Sequence, residues 1–296
     1  MLLLLACTSP DNAALRLGNV RAALVDSPVR GLWTSDFGKD PDADLGPLAL
    51  VGTPDGVALL DQENSRVLRY DTDGALLGET PIPSRTTLDL AADGDGFALL
   101  AWDRLSTSWS AQRVDAAGTL VMEARTPAAV DAPSGIFVDG DTVFVEQAHG
   151  RLYDPATGGF VPGRPAGDGR YVSAEKSNDT LLLTWQNADG SSPETLVITP
   201  DRPLGNVVSL ETRDGYTLLT LFLYEEGAAP DYAMIDPELR VVLLDPSHTR
   251  SDEISLPASA GTVLTRELTL GPDGHLFRLR THATGAALDR VAMVRN

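Results

Sequence analysis

A short apolar run that follows directly on a tight turn recurs six times along the chain. The turns are of the Asp-Gly type, and the residues after them are β-branched, aromatic or leucine-rich. Asp-Gly and Asn-Gly pairs favour hairpins because both central residues need a positive φ. The pattern therefore predicts short antiparallel strands, with most steps between units close to about 40 residues. The six units lie at residues 55–60, 95–100, 140–145, 178–183, 214–219 and 273–277.

Short strands at this spacing predict an all-β fold, a six-bladed β-propeller of four-stranded antiparallel blades. The runs alternate as strands do; in residues 276–281, Phe277 and Leu279 face one side. Only residues 12–24 have a spacing that could form a helix. A β-sandwich, or two stacked β-domains, would also contain short strands and is the alternative.

The repeat defines a single propeller domain over residues 19–296. Residues 246–257 contain prolines and serines and lie in the longest interval between two units. They are expected to form a loop insertion. The last blade has only three strand-like runs, so we predict that a segment within residues 19–33 pairs antiparallel with residues 288–294. This strand would close the ring, since an open ring leaves unpaired edges. The blades are expected at residues 48–83, 88–125, 135–165, 170–200, 206–245 and 262–296 plus 19–33.

The first blade carries a more specific pattern in residues 60–74. One strand ends in Asp61, Asn64 and Arg66 lie in the following loop, and the next strand ends in Tyr70 before a second Asp-Gly turn. This arrangement resembles the NHL repeat. The resemblance extends to the individual residues in one blade and only to the spacing of strands and turns in the others. It therefore implies the propeller class and no particular NHL function.

The chain opens with an apolar run that ends at its single cysteine. Leu4-Leu5-Ala6-Cys7 resembles the lipobox of bacterial lipoproteins, in which the signal is cut before a cysteine that carries a diacylglycerol. The resemblance implies that residues 1–7 are the signal and lipobox, that Cys7 carries the lipid and that residues 8–18 form a tether. The run is short and has no basic residue before it, unlike the usual signal. Thr8 stands where an acidic residue would retain enteric lipoproteins in the inner membrane, which points by analogy to the outer membrane.

The loops that follow the second strand of each blade are expected to open on one face of the ring, where propellers usually bind ligands. Two tryptophans at matching positions, surrounded by charged residues, would form an amphipathic pocket. The same tryptophans could instead pack between blades and leave the charges as a solvated rim. The candidate ligand-binding residues are Trp102, Glu146, His149, Trp185, Tyr224, Arg280 and His282.

No catalytic set is complete in this sequence. Glu146 and His149 form a close carboxylate–histidine pair, and on a strand they converge only if a loop starts between them. Six-bladed lactonases and the streptogramin lyase use Glu, Asn, Asp or His around the channel, and no full set is reproduced here. The sequence also has no Gly-x-Ser-x-Gly elbow and no glycine-rich phosphate loop.

An acidic cluster before the first blade is a weak calcium candidate. Asp40, Asp42 and Asp44 alternate before Gly46, and Ca²⁺ prefers such oxygen ligands. An EF-hand needs Gly at its sixth position and Glu at its twelfth, and neither requirement is met. We therefore expect an acidic linker here, with no metal and no cofactor.

Charge and cysteine content narrow the function classes. A net charge of −19 repels phosphate, which excludes nucleic acid as a partner. One cysteine permits no intrachain disulfide, and no apolar run is long enough for a membrane span, so membrane contact would be through the lipid anchor only. The sequence favours a non-catalytic cell-envelope lipoprotein that binds another envelope protein or a small ligand. The alternative is a hydrolase or lyase of the six-bladed lactonase and lyase type, with its site at one end of the channel.

Overall fold

The computed structural model describes residues 13–17, 21–22, 25–33, 47–130, 132–228, 233–258, 265–282 and 285–293, of which 21–22, 25–33 and His282 are described by their backbone only. Every regular element in these ranges is a β-strand. The strands form six separate sheets arranged in a ring, as the repeat predicts. Three N-terminal strands precede the first blade: β1 (Ala13–Arg16), β2 (Arg21–Ala22) and β3 (Val25–Trp33).

Blades 1 to 3 are four-stranded antiparallel sheets in which each strand pairs with the next. Blade 1 consists of β4 (Leu50–Thr53), β5 (Gly56–Asp61), β6 (Arg66–Asp71) and β7 (Leu76–Pro81). Blade 2 consists of β8 (Thr87–Asp93), β9 (Gly96–Asp103), β10 (Ser108–Val114) and β11 (Leu120–Arg125). Blade 3 consists of β12 (Pro133–Asp139), β13 (Thr142–Gln147), β14 (Leu152–Asp154) and β15 (Gly159–Val161).

Blades 4 and 5 each carry one additional strand from the N-terminus. Blade 4 consists of β16 (Arg164–Pro165), β17 (Tyr171–Ser177), β18 (Thr180–Gln186) and β19 (Glu194–Thr199), with β1 parallel to β19. Blade 5 consists of β20 (Leu204–Arg213), β21 (Tyr216–Glu226), β22 (Met234–Leu244) and β23 (Arg250–Pro257), with β2 parallel to β23.

Blade 6 combines the two ends of the chain, which confirms the predicted closure. Its strands are β24 (Leu268–Leu270), β25 (Leu276–His282) and β26 (Gly285–Val291), and β3 is its fourth strand. β3 pairs antiparallel with β26, from Trp33 opposite Gly285 to Val25 opposite Val291. The ring is also joined at its centre, where Ala49 forms a parallel bridge with Arg266.

Buried apolar side chains pack mainly between neighbouring blades. Strand β18 shows the reason, because its buried positions Leu181, Leu183 and Trp185 alternate with less buried ones. Clusters of this kind join blades 1 and 2, 2 and 3, 4 and 5, 5 and 6, and 6 and 1. The junction of blades 3 and 4 contains a buried ion pair, described below.

Three expectations from the sequence are corrected by the sheet topology. Residues 250–257 are not a loop: they form β23, which pairs antiparallel with β22 and buries Ser251, Glu253, Ile254 and Leu256. Within 12–24, the described residues are strands β1 and β2 rather than a helix. Asn178-Asp179 joins the second and third strands of blade 4, whereas the first turn of that blade is at residues 166–170. A two-residue turn fits any hairpin of a blade, so its residues alone cannot tell which hairpin it closes.

Candidate functional site

The two candidate tryptophans lie on different strands of their blades, because Asn178-Asp179 joins the second and third strands of blade 4. Trp102 lies near the end of β9, a second strand, next to the loop that leads to the third strand. Trp185 lies near the end of β18, a third strand, next to the loop that leads to the fourth. In an up-and-down blade these two loops lie at opposite ends. Trp102 and Trp185 therefore do not share one pocket.

Trp102 is partly exposed at the end of the ring where the second strands of the blades finish. Its ring packs edge-on against Trp109, with the ring centroids 5.0 Å apart. The loop between them is held by Asp103, which accepts hydrogen bonds from Ser106 Oγ at 2.6 Å and the Leu105 amide at 2.9 Å. Leu105 is 98% exposed at the tip. Trp102 also lines an open pocket of about 300 Å³ with polar neighbours that include Asp103, Gln112 and Glu123.

Glu146 and His149 do converge, because β13 ends at Gln147 and a turn with positive φ at Ala148 and His149 follows. His149 Nδ1 lies 3.3 Å from Glu146 Oε2. Ser134 Oγ donates to the same carboxylate oxygen at 3.0 Å and accepts from the His149 amide at 3.0 Å. The pair is thus fixed in a buried corner of blade 3.

Arg164 of blade 4 binds both oxygens of Glu146. Its Nε lies 2.6 Å from Oε1 and its Nη2 lies 3.1 Å from Oε2, with both side chains nearly fully buried. Burial raises the pKa of Glu146, but the charge of Arg164 and the hydrogen bonds to His149 and Arg164 outweigh burial and hold the pKa well below its usual range. Glu146 is therefore an ionised partner of Arg164 at the junction of blades 3 and 4.

A second buried ion pair crosses the central channel. Arg266, two residues before β24 of blade 6, donates from Nη2 to Asp89 Oδ2 of blade 2 at 2.7 Å. The same guanidinium donates to the carbonyls of Leu90 and Ile136, each at 3.3 Å. Asp89 Oδ2 also accepts from the Ile136 amide at 2.9 Å. One arginine thus holds blades 2, 3 and 6 together across the axis.

The channel has a cavity of about 180 Å³ near the first turns of the blades. Its lining includes Gly52 and Thr269. Four charged side chains also line it: Arg164, Glu211, Arg213 and Arg266. Glu211 Oε2 accepts from Thr269 Oγ1 at 3.3 Å and from the Leu270 amide at 3.4 Å.

Burial raises the pKa of two of the channel carboxylates. It raises the pKa of Glu211 despite the opposing charges of Arg266 and Arg164. It likewise raises the pKa of Asp89 despite Arg266. The pKa values of the three carboxylates are therefore shifted in different directions, since only Glu146 has both of its oxygens bound to an arginine.

Tyr224 lies near the end of β21, two residues before Glu226. It lines an open groove of about 710 Å³ between blades 4 and 5, together with Lys176, Asp179 and Glu226. Lys176 Nζ donates to the Gly205 carbonyl at 2.7 Å, which fixes one wall of the groove. The groove is polar and wide.

Trp185 is fully buried and stacks on His248 of blade 5, with ring centroids 3.8 Å apart and planes 13° from parallel. His248 Nδ1 lies 3.1 Å from Glu194 Oε1, and Arg170 Nη1 donates to Glu194 Oε2 at 2.6 Å. The hydrogen bond from Arg170 lowers the pKa of Glu194. Trp185 therefore packs between two blades, which is the alternative considered for the tryptophans.

The remaining candidates lie apart or outside the described residues. Arg280 on β25 forms an ion pair with buried Asp289, Nε to Oδ2 at 2.9 Å. The side chain of His282 lies outside the described residues, as do Cys7 and the calcium candidates Asp40, Asp42 and Asp44. Among the described residues, no group of three His, Cys, Asp or Glu side chains could hold a metal ion. In the same part of the chain no helix is long and apolar enough to cross a membrane.

Sequence reasoning missed the channel residues Asp89, Arg164, Glu211 and Arg266. Asp89 stands between Leu88 and Leu90 in β8, and Glu211 follows Leu210 in β20. A charge flanked by apolar residues in a first strand could have pointed to Asp89, because an unpaired charge is too costly to bury there. Glu211, Arg164 and Arg266 do not have apolar residues on both sides, so this signal does not extend to them. The partners could not be read from the sequence.

Asp61, Asn64 and Arg66, which carry the NHL resemblance, fix the loop after β5. Asp61 Oδ2 accepts from Asn64 Nδ2 at 3.0 Å and from Arg66 Nε at 2.9 Å. Ser65 between them has a φ of 53°. These three residues stabilise the turn itself.

No protein-family model and no curated protein matches this sequence. Among solved structures, hydrazine synthase of Kuenenia stuttgartiensis is 17% identical, with 78% of this chain and 73% of that chain covered and a TM-score of 0.49. A streptogramin B lyase is 13% identical, with 86% and 96% covered and a TM-score of 0.45. A Bacteroides fragilis protein provisionally named as exported is 8% identical, with 95% and 99% covered and a TM-score of 0.48. Since each score is below 0.5, the assignment of this chain as a six-bladed propeller rests on its own six sheets.

Proposed function

We propose that this chain is a lipid-anchored, non-catalytic propeller of the bacterial cell envelope that binds another envelope protein. The observation that carries the proposal is the ion network of the channel. Arg164 binds both oxygens of Glu146, and Arg266 binds Asp89 across the axis. These residues lie where a ring enzyme would place its acids and bases, and here they hold four blades together. The outer surfaces are then left for binding.

The N-terminal strands support an anchor close to the ring. β1 starts at Ala13, six residues after Cys7, and pairs with the outer strand of blade 4. Six extended residues span at most about 20 Å. A lipid on Cys7 would therefore hold blade 4 near the membrane, with blade 1 on the far side of the ring. An outer-membrane address and an NHL-like origin of the blades belong to the same proposal.

Fatty-acid labelling in a bacterial host tests the anchor. Cells that express the chain from its natural start are grown with an alkyne fatty acid, and the labelled protein is compared with Cys7→Ser. We expect label on the wild-type protein in the membrane fraction and none on the variant. Equal labelling of both proteins, or an unmodified Met1 on the mature protein, would reject the anchor.

The alternative, a lyase or hydrolase of the ring type, is favoured by one observation: His149 Nδ1 lies 3.3 Å from Glu146. It is opposed by Arg164, which occupies both carboxylate oxygens. The purified protein is incubated with streptogramin B and a panel of lactones. We expect no turnover above buffer; turnover that disappears in Glu146→Gln would establish the enzyme and overturn the binding proposal.

A further inference from the structure

The outer edges of the blades differ in how they are covered. The outer strands of blades 4 and 5 have β1 and β2 added in parallel, and we call these two added strands the strap. Within the described residues, no strand pairs with the outer sides of β7, β11 and β15. An uncovered strand presents its amide and carbonyl groups to any extended chain that can reach them.

In the part of the chain that the structure describes, the outer edges of blades 1 and 2 are apolar as well as unpaired. Leu76 and Leu77 on β7 are 51% and 49% exposed, and Leu120 and Val121 on β11 are 42% and 60% exposed. The strap brings apolar residues to the edge that it covers, since Leu17, directly after β1, is buried in the cluster of blades 4 and 5. Among the described residues, blades 1 and 2 have exposed apolar edges without such an added segment.

The two uncovered edges follow one another around the rim. Thr80 Oγ1 donates to the Ala116 carbonyl at 3.5 Å, and a Cβ on Gly118 would lie 2.5 Å from the Pro81 carbonyl oxygen. The end of β7 thus contacts the turn that leads into β11. One extended chain can therefore pass from one edge to the next.

The strap shows how such a chain crosses between blades. Ala13 pairs with Leu196 of blade 4, and Arg21, eight residues later, pairs with Ile254 of blade 5. Both strands run parallel to the outer strand that they cover. A segment of about ten residues is therefore long enough to add to two neighbouring blades.

Charge indicates the composition of that segment. Residues 71–81 and 115–125, which contain β7 and β11 and the turns before them, hold five carboxylates and one arginine. The strap carries Arg16 and Arg21 beside alanine and leucine and has no acidic residue in its strands. An acidic apolar edge is complemented by a basic apolar segment.

We propose that the outer edges of blades 1 and 2 bind an extended segment of a partner protein, about ten residues long and rich in small apolar and basic residues, as an added parallel strand. This deepens the proposed binding function by naming the surface and the class of partner. It does not require lipid on Cys7.

Binding of a labelled peptide tests the surface. The probe is a fluorescein-labelled peptide with the sequence of residues 13–22, titrated with the purified protein and followed by fluorescence anisotropy. Leu77→Lys with Val121→Lys places positive charge on both edges at exposed positions, where folding should be unaffected. Leu105→Lys with Met234→Lys is the matched control, because it adds the same two charges at exposed apolar residues away from these edges.

We expect the peptide to bind the wild type and the control alike and the double variant at least tenfold more weakly. Amide hydrogen exchange should slow in residues 77–81 and 121–125 when the peptide is bound. No binding to the wild type, equal binding to the double variant, or protection confined to β19 and β23 would overturn the proposal. A dimer that the double variant abolishes would identify a second copy as the occupant and would also overturn it. If Cys7 carries no lipid while these binding results hold, only the proposed location at the cell envelope is wrong.

Discussion

Arg266 Nη2 lies 2.7 Å from Asp89 Oδ2, although 177 residues separate them and they belong to blades 6 and 2. Both side chains are buried, and the guanidinium also donates to the Leu90 and Ile136 carbonyls. The pair therefore forms only when the ring is closed. It ties the closure of blade 6 to the packing of blades 2 and 3.

Arg266→Met should destabilise the whole ring, because it leaves Asp89 buried without its charged partner. Breaking such a pair typically costs about 3–5 kcal/mol. We expect the melting temperature to fall by several degrees in a single transition, measured by differential scanning calorimetry. Arg125→Met is the control, since Arg125 is exposed at 3.5 Å from Asp103 and should contribute little. Equal melting of the two variants would show that the buried pair contributes no more than a surface one.

Gly135→Ala should disturb the same ion pair from another side. The added Cβ would lie 2.8 Å from Asp89 Oδ2 and 3.3 Å from Arg266 Nη2, so the buried carboxylate would have to move. We expect a loss of about 1–3 kcal/mol in unfolding free energy, measured with urea. Gly78→Ala is the matched control, because the nearest atom to its Cβ is 3.7 Å away. A Gly135→Ala protein as stable as the control would contradict this packing.

The Glu146–Arg164 pair should make stability fall in acid. The folded-state pKa of Glu146 lies below its ordinary value of 4.5, so its stabilisation is present above about pH 4.5 and is lost as the pH falls toward the folded pKa. Glu146→Gln should therefore be less stable than the wild type at pH 7, and the difference should shrink below pH 4.5. Thermal melts from pH 3 to pH 8 measure it. A difference that stays constant with pH would rule out ionised Glu146 as the cause.

Glu211 should act in the opposite direction. Burial raises its pKa above the ordinary 4.5, so the folded state favours the protonated form and loses stability as the pH rises through the folded pKa. Glu211→Gln imitates the protonated side chain and should melt higher than the wild type at pH 8. The two proteins should melt alike below about pH 4.5. A variant that melts lower at pH 8 would show that the ionised carboxylate is stabilising.

Two deletions at the N-terminus should separate the contribution of β3, which closes the ring, from that of β1 and β2, which cover blades 4 and 5. Deletion of residues 1–33 removes β3 and the six positions at which it pairs with β26, where each backbone hydrogen bond contributes about 1 kcal/mol. We expect a large cooperative drop in melting temperature. Deletion of residues 1–24 removes only the strap and should cost less. If both truncated proteins melt where the intact one does, β3 does not hold the ring closed.

The sequence predicts only those contacts of the candidate site that form within a single blade. Glu146 and His149 converge within blade 3, and the condition for this, a loop between them, could be stated from their spacing alone. Arg164, which decides the chemistry of Glu146, comes from the next blade. The sequence predicts Trp185 beside Trp102 because the turns before them are alike, yet Trp185 lies near the opposite end of a blade against His248.

The sequence by itself determined the strands, the six-fold repeat and the closing strand. Turn residues and apolar alternation act within a few residues, and a blade short of one strand must take it from the other terminus. Only the tertiary structure decided which hairpin Asn178-Asp179 closes, that residues 250–257 add a strand to blade 5, and which charges meet in the channel. The physical reason is that buried charges are paired by ring geometry, which brings together residues such as Asp89 and Arg266 that share no local pattern.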